Sequence, residues 1–389
     1  MWIERLALTR FRNHRSVTLT LDARPAVLIG ANGAGKTNIL EAVSLLAPGQ
    51  GLRRAPYAEL AQTGGDGSWA VAARVHTDVG FVEIGTGQPA GAAEDRSARV
   101  VRIDGEDQSG SGALGDHVEM VWLTPAMDGL FTAPGSERRR FLDRLILSHD
   151  PGYRTHTGHF ERAMRQRNRL LEDGVFEEAR FEGLERVMAE AGVAIAAARA
   201  EAVARLKATI DARRARAPES PFPWADLMLQ GMLENDLGRR PAVEVEDSYV
   251  EALRSGRERD RAAGRALEGP HRSDLIVAHG PKGMAAHLSS TGEQKALLVG
   301  VVLAHAELVK QRHGAVAPIL LLDEITAHLD ERRRTALYEE IVRLGSQAWM
   351  TGTDQSAFSA IANNAQFVAI GEQGINPTIH PGAARSGGG

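Results

Sequence analysis

The sequence contains no cysteine. This absence excludes disulfide bonds, thiolate zinc sites and a cysteine nucleophile, and it fits a reducing compartment. The chain also lacks an apolar run of the roughly 20 residues that cross a membrane. Residues 1–8 (MWIERLAL) do not have the layout of a signal peptide. We therefore expect a cytoplasmic protein with no membrane segment.

An excess of one charge is missing as well, because the formal net charge is −4. Composition therefore gives no general indication of nucleic-acid binding, and any DNA contact must come from a local basic surface or a groove formed on assembly. The 389 residues are 43% hydrophobic and 25% charged. These percentages are typical of a globular protein, and the length is sufficient for two or three domains.

The most informative motif is a glycine-rich segment that follows the apolar run 27–29 and has the spacing G-x-x-x-x-G-K-T of a P-loop. Its members are Gly30, Ala31, Asn32, Gly33, Ala34, Gly35, Lys36 and Thr37. Glycines let backbone N–H groups approach phosphate oxygens, and the start of the following helix favours the same anions. We expect Lys36 to approach the β- and γ-phosphates of ATP and Thr37 to bind Mg²⁺. A glycine turn that binds nothing would not need Lys-Thr at this offset.

The first part of the chain predicts a β-rich layer beside the strand of the P-loop. Strand patterns occupy 3–11, 17–21, 27–29, 70–75, 79–84, 99–103 and 117–123. Beyond them, Ser136 is a candidate cap for a helix that carries four arginines. Such a run is typical either of a solvated face or of a contact with DNA or a partner.

Long helices are predicted from residue 151 to about residue 217, and a further helix from 249 to 265. Apolar residues spaced by three and four form a short, alanine-weakened coiled-coil seam. These residues are Phe181, Leu184, Met188, Ala191, Ile195, Ala198 and Ala202. This middle part indicates an arm made of an antiparallel helical pair.

Two motifs follow the arm. The apolar strand 319–322 ends in Asp323 and Glu324; beside a P-loop, the first acid is expected to bind Mg²⁺ and the second to accept a proton from the attacking water. The segment 290–293 (STGE) opens an apolar helix, for which we predict residues 296–309. It resembles the signature of ABC-type ATPases, in which Ser290 would contact the γ-phosphate bound by a second subunit; Ser290 as a plain helix cap is the simpler alternative.

Taken together, the motifs resemble the RecF family of bacterial recombination and repair ATPases over nearly the whole chain. They comprise the P-loop, the arm, GPHRSDL at 269–275, STGEQKALL at 290–298 and LLLDEITAHLD at 320–330. The resemblance implies an ABC-like head with a short arm, an ATP-dependent homodimer and slow ATP hydrolysis. It also implies binding to single-stranded, duplex or gapped DNA, and work with RecR and RecO in loading RecA during replication, recombinational repair and the SOS response.

The expected fold is therefore an α/β ABC-type P-loop head with an inserted helical arm, divided into residues 1–148, 149–266 and 267–389. A transporter's ATPase subunit shares the three motifs but not the arm, SMC or Rad50 proteins need far longer heptad runs, and a metabolite kinase has no use for the signature. Some positions depart from the ABC pattern. No switch histidine follows the strand 348–350, where residues 351–354 (TGTD) stand, and Ser289 replaces the usual leucine of the signature. Arg12, Asn13, Arg53 and His271 are either nucleotide or DNA contacts or structural polar residues.

Overall fold

The computed structural model describes residues 1–91, 99–148, 150–174, 177–312, 314, 316–371 and 374–377. In chain order its strands are β1 (Trp2–Phe11), β2 (His14–Thr20), β3 (Ala26–Ile29), β4 (Trp69–His76), β5 (Phe81–Gln88), β6 (Val100–Ile103), β7 (Glu106–Asp107), β8 (Met120–Leu123), β9 (Ala225–Gln230), β10 (Asp274–His279), β11 (Met284–Ala285), β12 (Ile319–Leu322), β13 (Ala348–Gly352), β14 (Gln366–Gly371) and β15 (Gly374–Pro377). Its α-helices are α1 (Lys36–Ser44), α2 (Gly135–Leu147), α3 (Pro151–Glu172), α4 (Glu178–Arg216), α5 (Met232–Leu237), α6 (Ala242–Ser255), α7 (Arg257–Ala263), α8 (Thr291–Arg312) and α9 (Glu331–Leu344).

Internal contacts divide the chain into two compact units. The first unit contains Met1–Asp128, Glu219–Phe222 and Leu298–Gly389, and the second contains Gly129–Pro218 and Pro223–Leu297. Both boundaries of the three-part division, at residues 148/149 and 266/267, fall within the second unit, and that division stays a prediction.

The first unit contains an antiparallel sheet with the strand order β2-β1-β4-β5-β6-β7. β1 pairs with β2 as a hairpin and with β4 on its other side. The register against β4 shifts between Ile3 and Arg5, which is why Ile3 and Leu6 are both buried although three positions apart. The predicted β-rich layer is confirmed.

A second sheet of the same unit has the order β15-β14-β3-β13-β12-β8 and is parallel except for β15. All four residues of β12 are buried, as expected for a central parallel strand covered on both faces. Because β13 lies between β3 and β12, the residues that follow these three strands meet at one edge. A single hydrophobic core joins α1, represented by Ile39 and Val43, to both sheets.

The second unit is mainly helical. α3 and α4 are joined by a short connection and pack against each other. Arg167 pairs with Glu185 near that connection and Tyr153 bonds to Arg199 farther from it, the order expected of an antiparallel hairpin. The same unit contains a small antiparallel sheet with the strand order β11-β10-β9.

Several predicted elements differ from the structure. α2 begins at Gly135 after Pro134, so Ser136 lies inside the first turn and makes no cap; the fixed φ of proline sets that start. The predicted helix 249–265 is two helices, because Gly256 separates α6 from α7. The helix after the signature begins at Thr291, five residues before the predicted start.

Candidate nucleotide-binding site

The P-loop connects β3 to α1 in the first unit. Gly30 allows a close approach, because a Cβ at this position would lie 2.2 Å from the carbonyl oxygen of Ile370. Gly33 and Gly35 have φ angles of +82° and +99°, a region in which side chains are strained. Each of these three glycines is therefore required by the backbone path of the loop.

The hairpin turn between β1 and β2 holds the loop from one side. The Nε2 atom of His14 lies 3.1 Å from the carbonyl oxygen of Gly35, and an acceptor of this kind requires that nitrogen to carry its hydrogen. Burial lowers the pKa of His14, and the bond to Gly35 opposes that change. The Asn13 side chain donates to Ala34 O at 3.4 Å and accepts from Asn38 at 2.8 Å. The hairpin thus fixes the end of the loop and the start of α1.

The other end of α1 is held by Arg99, a buried residue that the sequence did not single out. Its guanidinium donates to the carbonyl oxygens of Leu45 and Ala47, the second at 2.8 Å, and to the Thr86 hydroxyl at 2.8 Å. Burial lowers the pKa of Arg99 to about 10. A cation at a helix C-terminus complements the helix dipole. Arg99 therefore anchors the helix that carries Lys36.

Lys36 is the cation of the loop. Its Nζ atom donates to the carbonyl oxygens of Gly30 and Ala31, both at 2.8 Å, and the residue is buried. Burial lowers the pKa of Lys36, and the charges of Glu324 and Asp323 oppose that change. These hydrogen bonds hold the cation against the loop, and both of these acceptors are neutral carbonyl oxygens.

The two acids after β12 have different environments. Asp323 is buried, and its Oδ1 atom accepts hydrogen bonds from the hydroxyls of Thr37 at 2.9 Å and Thr351 at 2.8 Å. Glu324 is exposed and has a φ angle of +48°, which is rare for a residue with a side chain. Its backbone N–H donates to Thr351 Oγ1 at 2.8 Å. The structure thus brings Lys36, Thr37, Asp323 and Glu324 together, as the sequence predicted.

A magnesium ion fits this donor set. Across the described ranges, no group of three or more His, Cys, Asp or Glu residues could hold a metal ion by itself. Thr37 and Asp323 offer a hydroxyl and a carboxylate oxygen that touch each other. Mg²⁺ is commonly held by one or two such protein oxygens, with substrate phosphates and water completing its shell.

Arg12 and Arg53 form a network with Glu41, an almost completely buried acid of α1. Arg12 donates to both carboxylate oxygens of Glu41, at 3.0 and 2.9 Å. Arg53 donates to Asn38 at 2.9 Å and to Glu41 at 3.4 Å. Both arginines therefore have a structural role in bracing α1, and the sequence alone left that choice open.

Ser290 belongs to the second unit and is exposed immediately before α8. The Ser290 N–H donates to Glu293 Oε2 at 3.2 Å, and the Glu293 N–H donates to Ser290 Oγ at 3.4 Å. This is the reciprocal pattern of a capping box. The Lys282 ammonium, followed by the Ser290 N–H, lowers the pKa of Glu293 to about 2. A capping role for Ser290 is thus real, and it leaves the residue at an exposed helix N-terminus.

The arginine-rich helix α2 and the GPHRSDL segment face each other in the second unit. Arg138 binds the carboxylate of Asp274 at 2.9 and 2.6 Å, and Arg139 donates to Ser273 O. Arg140 pairs with Glu137 on the exposed side. Arg138 and Arg139 therefore clamp the segment, so that α2 is more than a solvated face.

His271 of the same segment bonds to Ala266 O at 2.9 Å through Nε2.

Comparison with known proteins identifies the family. The model of the RecF/RecN/SMC N terminal domain matches residues 2–376. A DNA replication and repair protein RecF of Mesorhizobium japonicum is 54% identical over 377 residues, which are 97% of this chain and 98% of that protein. The corresponding RecF of Rhizobium etli is 53% identical over 371 residues, with 95% and 97% covered. The chain belongs to the RecF family.

Solved structures agree with this assignment at the level of the fold. The recombination mediator protein RecF with ATP matches with a TM-score of 0.83 at 21% identity, covering 97% of this chain and 98% of that one. An Smc head domain from Pyrococcus furiosus matches with a TM-score of 0.54 at 18% identity, covering 97% and 96%. The RecF resemblance and the predicted ABC-type head fold are confirmed. In the described part of this RecF family member, no helix has the length and apolarity needed to span a membrane.

Proposed function

We propose that the chain binds ATP together with Mg²⁺ at the P-loop and hydrolyses it slowly. The observation that carries the proposal is the 2.9 Å hydrogen bond between Thr37 and Asp323, which are 286 residues apart in the chain. A glycine-rich anion loop and a strand-end acid have no structural need to meet in this way. Their contact creates the donor pair that a nucleotide-bound magnesium ion uses.

The roles of the chain's own residues follow from their positions. The N–H groups of residues 30–37 and the Lys36 ammonium bind the phosphates. Thr37 and Asp323 would hold the ion, which supplies positive charge to the phosphate oxygens when bound. Glu324 lies one residue farther along, exposed, and accepts a proton from the attacking water.

We infer that the site is completed by a second copy of the chain. Ser290 and the N-terminus of α8 present a hydroxyl and a helix dipole to solvent, and both favour an anion. In a two-fold homodimer, each copy would offer Ser290 to the γ-phosphate held by the other. ATP binding would then favour the dimer and hydrolysis would release it.

Family membership supports a role at DNA. We propose that the ATP-bound dimer binds single-stranded, duplex or gapped DNA in the cytoplasm and acts with RecR and RecO to load RecA, in replication, recombinational repair and the SOS response. The relatives are named as DNA replication and repair proteins, and the solved RecF structure as part of the RecFOR pathway. Because the net charge is −4, the ATP-dependent gain in DNA affinity must come from local surfaces.

The variant Glu324→Gln tests the hydrolytic role. We expect its turnover of ATP to fall by about 10²–10⁴-fold, since a general base is removed, while the Kd for ATP changes little. Glu331→Gln, which changes another exposed acid, in the first turn of α9, is the matched control and should keep the wild-type rate. Wild-type turnover in the Glu324 variant would contradict the assignment.

DNA binding is tested by comparing duplex, single-stranded and gapped DNA, with and without ATP, at several stated salt concentrations. We expect ATP to tighten binding to at least one of them. If ATP tightens none, the DNA role fails, and an ATPase subunit of a transporter or another ABC-type assembly becomes the better interpretation.

A further inference from the structure

Thr351 is bonded to both acids that follow β12, Asp323 and Glu324. Neither the P-loop pattern nor the apolar strand 319–322 indicates this residue. It lies on β13, between the strand that leads to the P-loop and the strand that leads to Asp323. Thr351 is completely buried, with 0% of its surface exposed. A buried hydroxyl requires a hydrogen-bond partner, and it can have both an acceptor for its hydrogen and a donor to its oxygen.

Thr351 has both partners, and both belong to the candidate site. The hydroxyl donates to Asp323 Oδ1 at 2.8 Å and accepts the N–H of Glu324 at 2.8 Å. One oxygen atom therefore bridges the carboxylate of the first acid and the backbone of the second. The same Asp323 oxygen also accepts from Thr37.

The bridge replaces regular sheet pairing at the point where β12 ends. Leu322 is paired with Met350 in the parallel ladder, so the next position on β13 is Thr351. Glu324 leaves the ladder with a φ angle of +48°. A side chain in this left-handed region persists only where its surroundings hold it, and the hydrogen bond from the Glu324 N–H to Thr351 provides such a hold.

We infer that Thr351 is a positioning residue of the ATPase site, whose single hydroxyl fixes Asp323 and the strained backbone of Glu324 relative to each other. Thr351 is buried, and its hydroxyl is bonded to groups of the protein. It acts through the two acids, and it couples the residue that would hold the ion to the residue that activates water. This inference rests on the proposed hydrolysis of ATP.

The test compares Thr351→Val, which removes the hydroxyl while keeping the shape, with Thr351→Ser, which retains it. We expect the valine variant to lose about 10–100-fold in kcat, because a displaced catalytic group costs rate steeply. Its KM and its Kd for ATP should change less than about threefold, since the P-loop is intact. Serine should restore kcat to within about threefold of the wild-type value.

Thr209→Val is the matched control. Thr209 is also buried, but its hydroxyl bonds at 2.9 Å to the Arg205 carbonyl within α4 of the other unit. The control should keep kcat and should show whether loss of any buried hydroxyl harms the enzyme. Thermal melting of all three variants shows whether they fold.

Hydrogen exchange gives a readout that does not depend on turnover. In the nucleotide-free protein, the Glu324 amide should exchange faster in Thr351→Val than in Thr351→Ser or the wild type, because the hydroxyl oxygen that accepts the Glu324 N–H is lost. Unchanged exchange, or an unchanged kcat in the valine variant, would overturn the inference. If the wild type hydrolyses no ATP, the proposed function itself has failed, and if Glu324→Gln keeps full turnover, the role of Glu324 has failed. If only Thr351→Val keeps full turnover, the failure is confined to this inference.

Discussion

Two buried cations show how the two units of the molecule use positive charge. Lys36 in the first unit is bonded to the carbonyl oxygens of Gly30 and Ala31. Arg167 in the second unit is 0% exposed and is bonded to the carboxylates of Glu185 and Asp260, at 2.9 and 2.8 Å. The charge of Arg167 is compensated by carboxylates of the protein, whereas the charge of Lys36 remains available to an anionic ligand. Burial of a cation is therefore not a sign of function by itself; the identity of its partners decides.

The largest expected effect concerns the structural cation. Arg167→Met should reduce the free energy of unfolding by about 3–5 kcal/mol, because the buried Asp260 would lose the arginine with which it pairs and Glu185 would be left with Arg257. Urea unfolding followed by circular dichroism measures this loss. Arg154→Met changes an exposed arginine of the same helix and should cost much less. Equal losses of unfolding free energy in the two variants would contradict the structural role of Arg167.

Lys36→Met should behave in the opposite way. We expect the Kd for ATP to rise by roughly 10–100-fold, since charge-assisted hydrogen bonds to phosphate are worth about 1.5–3 kcal/mol. The free energy of unfolding should change by less than about 1 kcal/mol, because two hydrogen bonds to carbonyls are lost while a buried charge is removed. Isothermal titration and urea unfolding on the same samples measure both. A large loss of stability with unchanged ATP affinity would place Lys36 with Arg167.

Glu119 offers a buried acid for the same comparison, and its expected effect is the smallest of the three when it is counted per pH unit. Burial raises the pKa of Glu119 to about 8, opposed by the charge of Arg312. In the unfolded chain a glutamate titrates near 4.3. Between these two pH values the folded state holds a proton that the unfolded state has lost, so the stability of the wild type falls as pH rises, by at most about 1.4 kcal/mol per pH unit.

Glu119→Gln lacks this proton equilibrium. Its stability relative to the wild type should therefore increase from pH 5 to pH 8 and then level off, which melting curves at unit pH steps can follow. Parallel pH profiles for the two proteins would mean that the carboxylate is ionised in the folded state. Glu119 would then be a buried charge that is compensated within the protein, as Arg167 is.

The sequence predicted the parts of the site that depend on local spacing. The P-loop, the apolar strand before Asp323 and the early β-rich layer follow from periodicity and glycine placement, and the structure contains them. Thr351 was missed as a partner of the acids, because a threonine at a strand end has no distinctive spacing; only the order of β3, β13 and β12 brings it beside Asp323.

The contacts of two arginines could not be predicted from the sequence for the same reason. A run of arginines in α2 does not reveal that Arg138 binds Asp274, which lies 136 residues later in the chain. Arg99 was missed for a similar reason, since its acceptors are backbone carbonyls that no side-chain pattern indicates. Partners that are distant in the chain, or that belong to the backbone, become visible only in the folded structure.

We propose above all that ATP completes its site by joining two copies of the chain. The most direct test is light scattering coupled to size exclusion of Glu324→Gln with ATP and Mg²⁺. We predict a species of twice the 41.9 kDa chain mass, which returns to the monomer mass when Ser290→Arg is added, although ATP still binds. A Glu324→Gln protein that is saturated with ATP and remains monomeric would contradict the account.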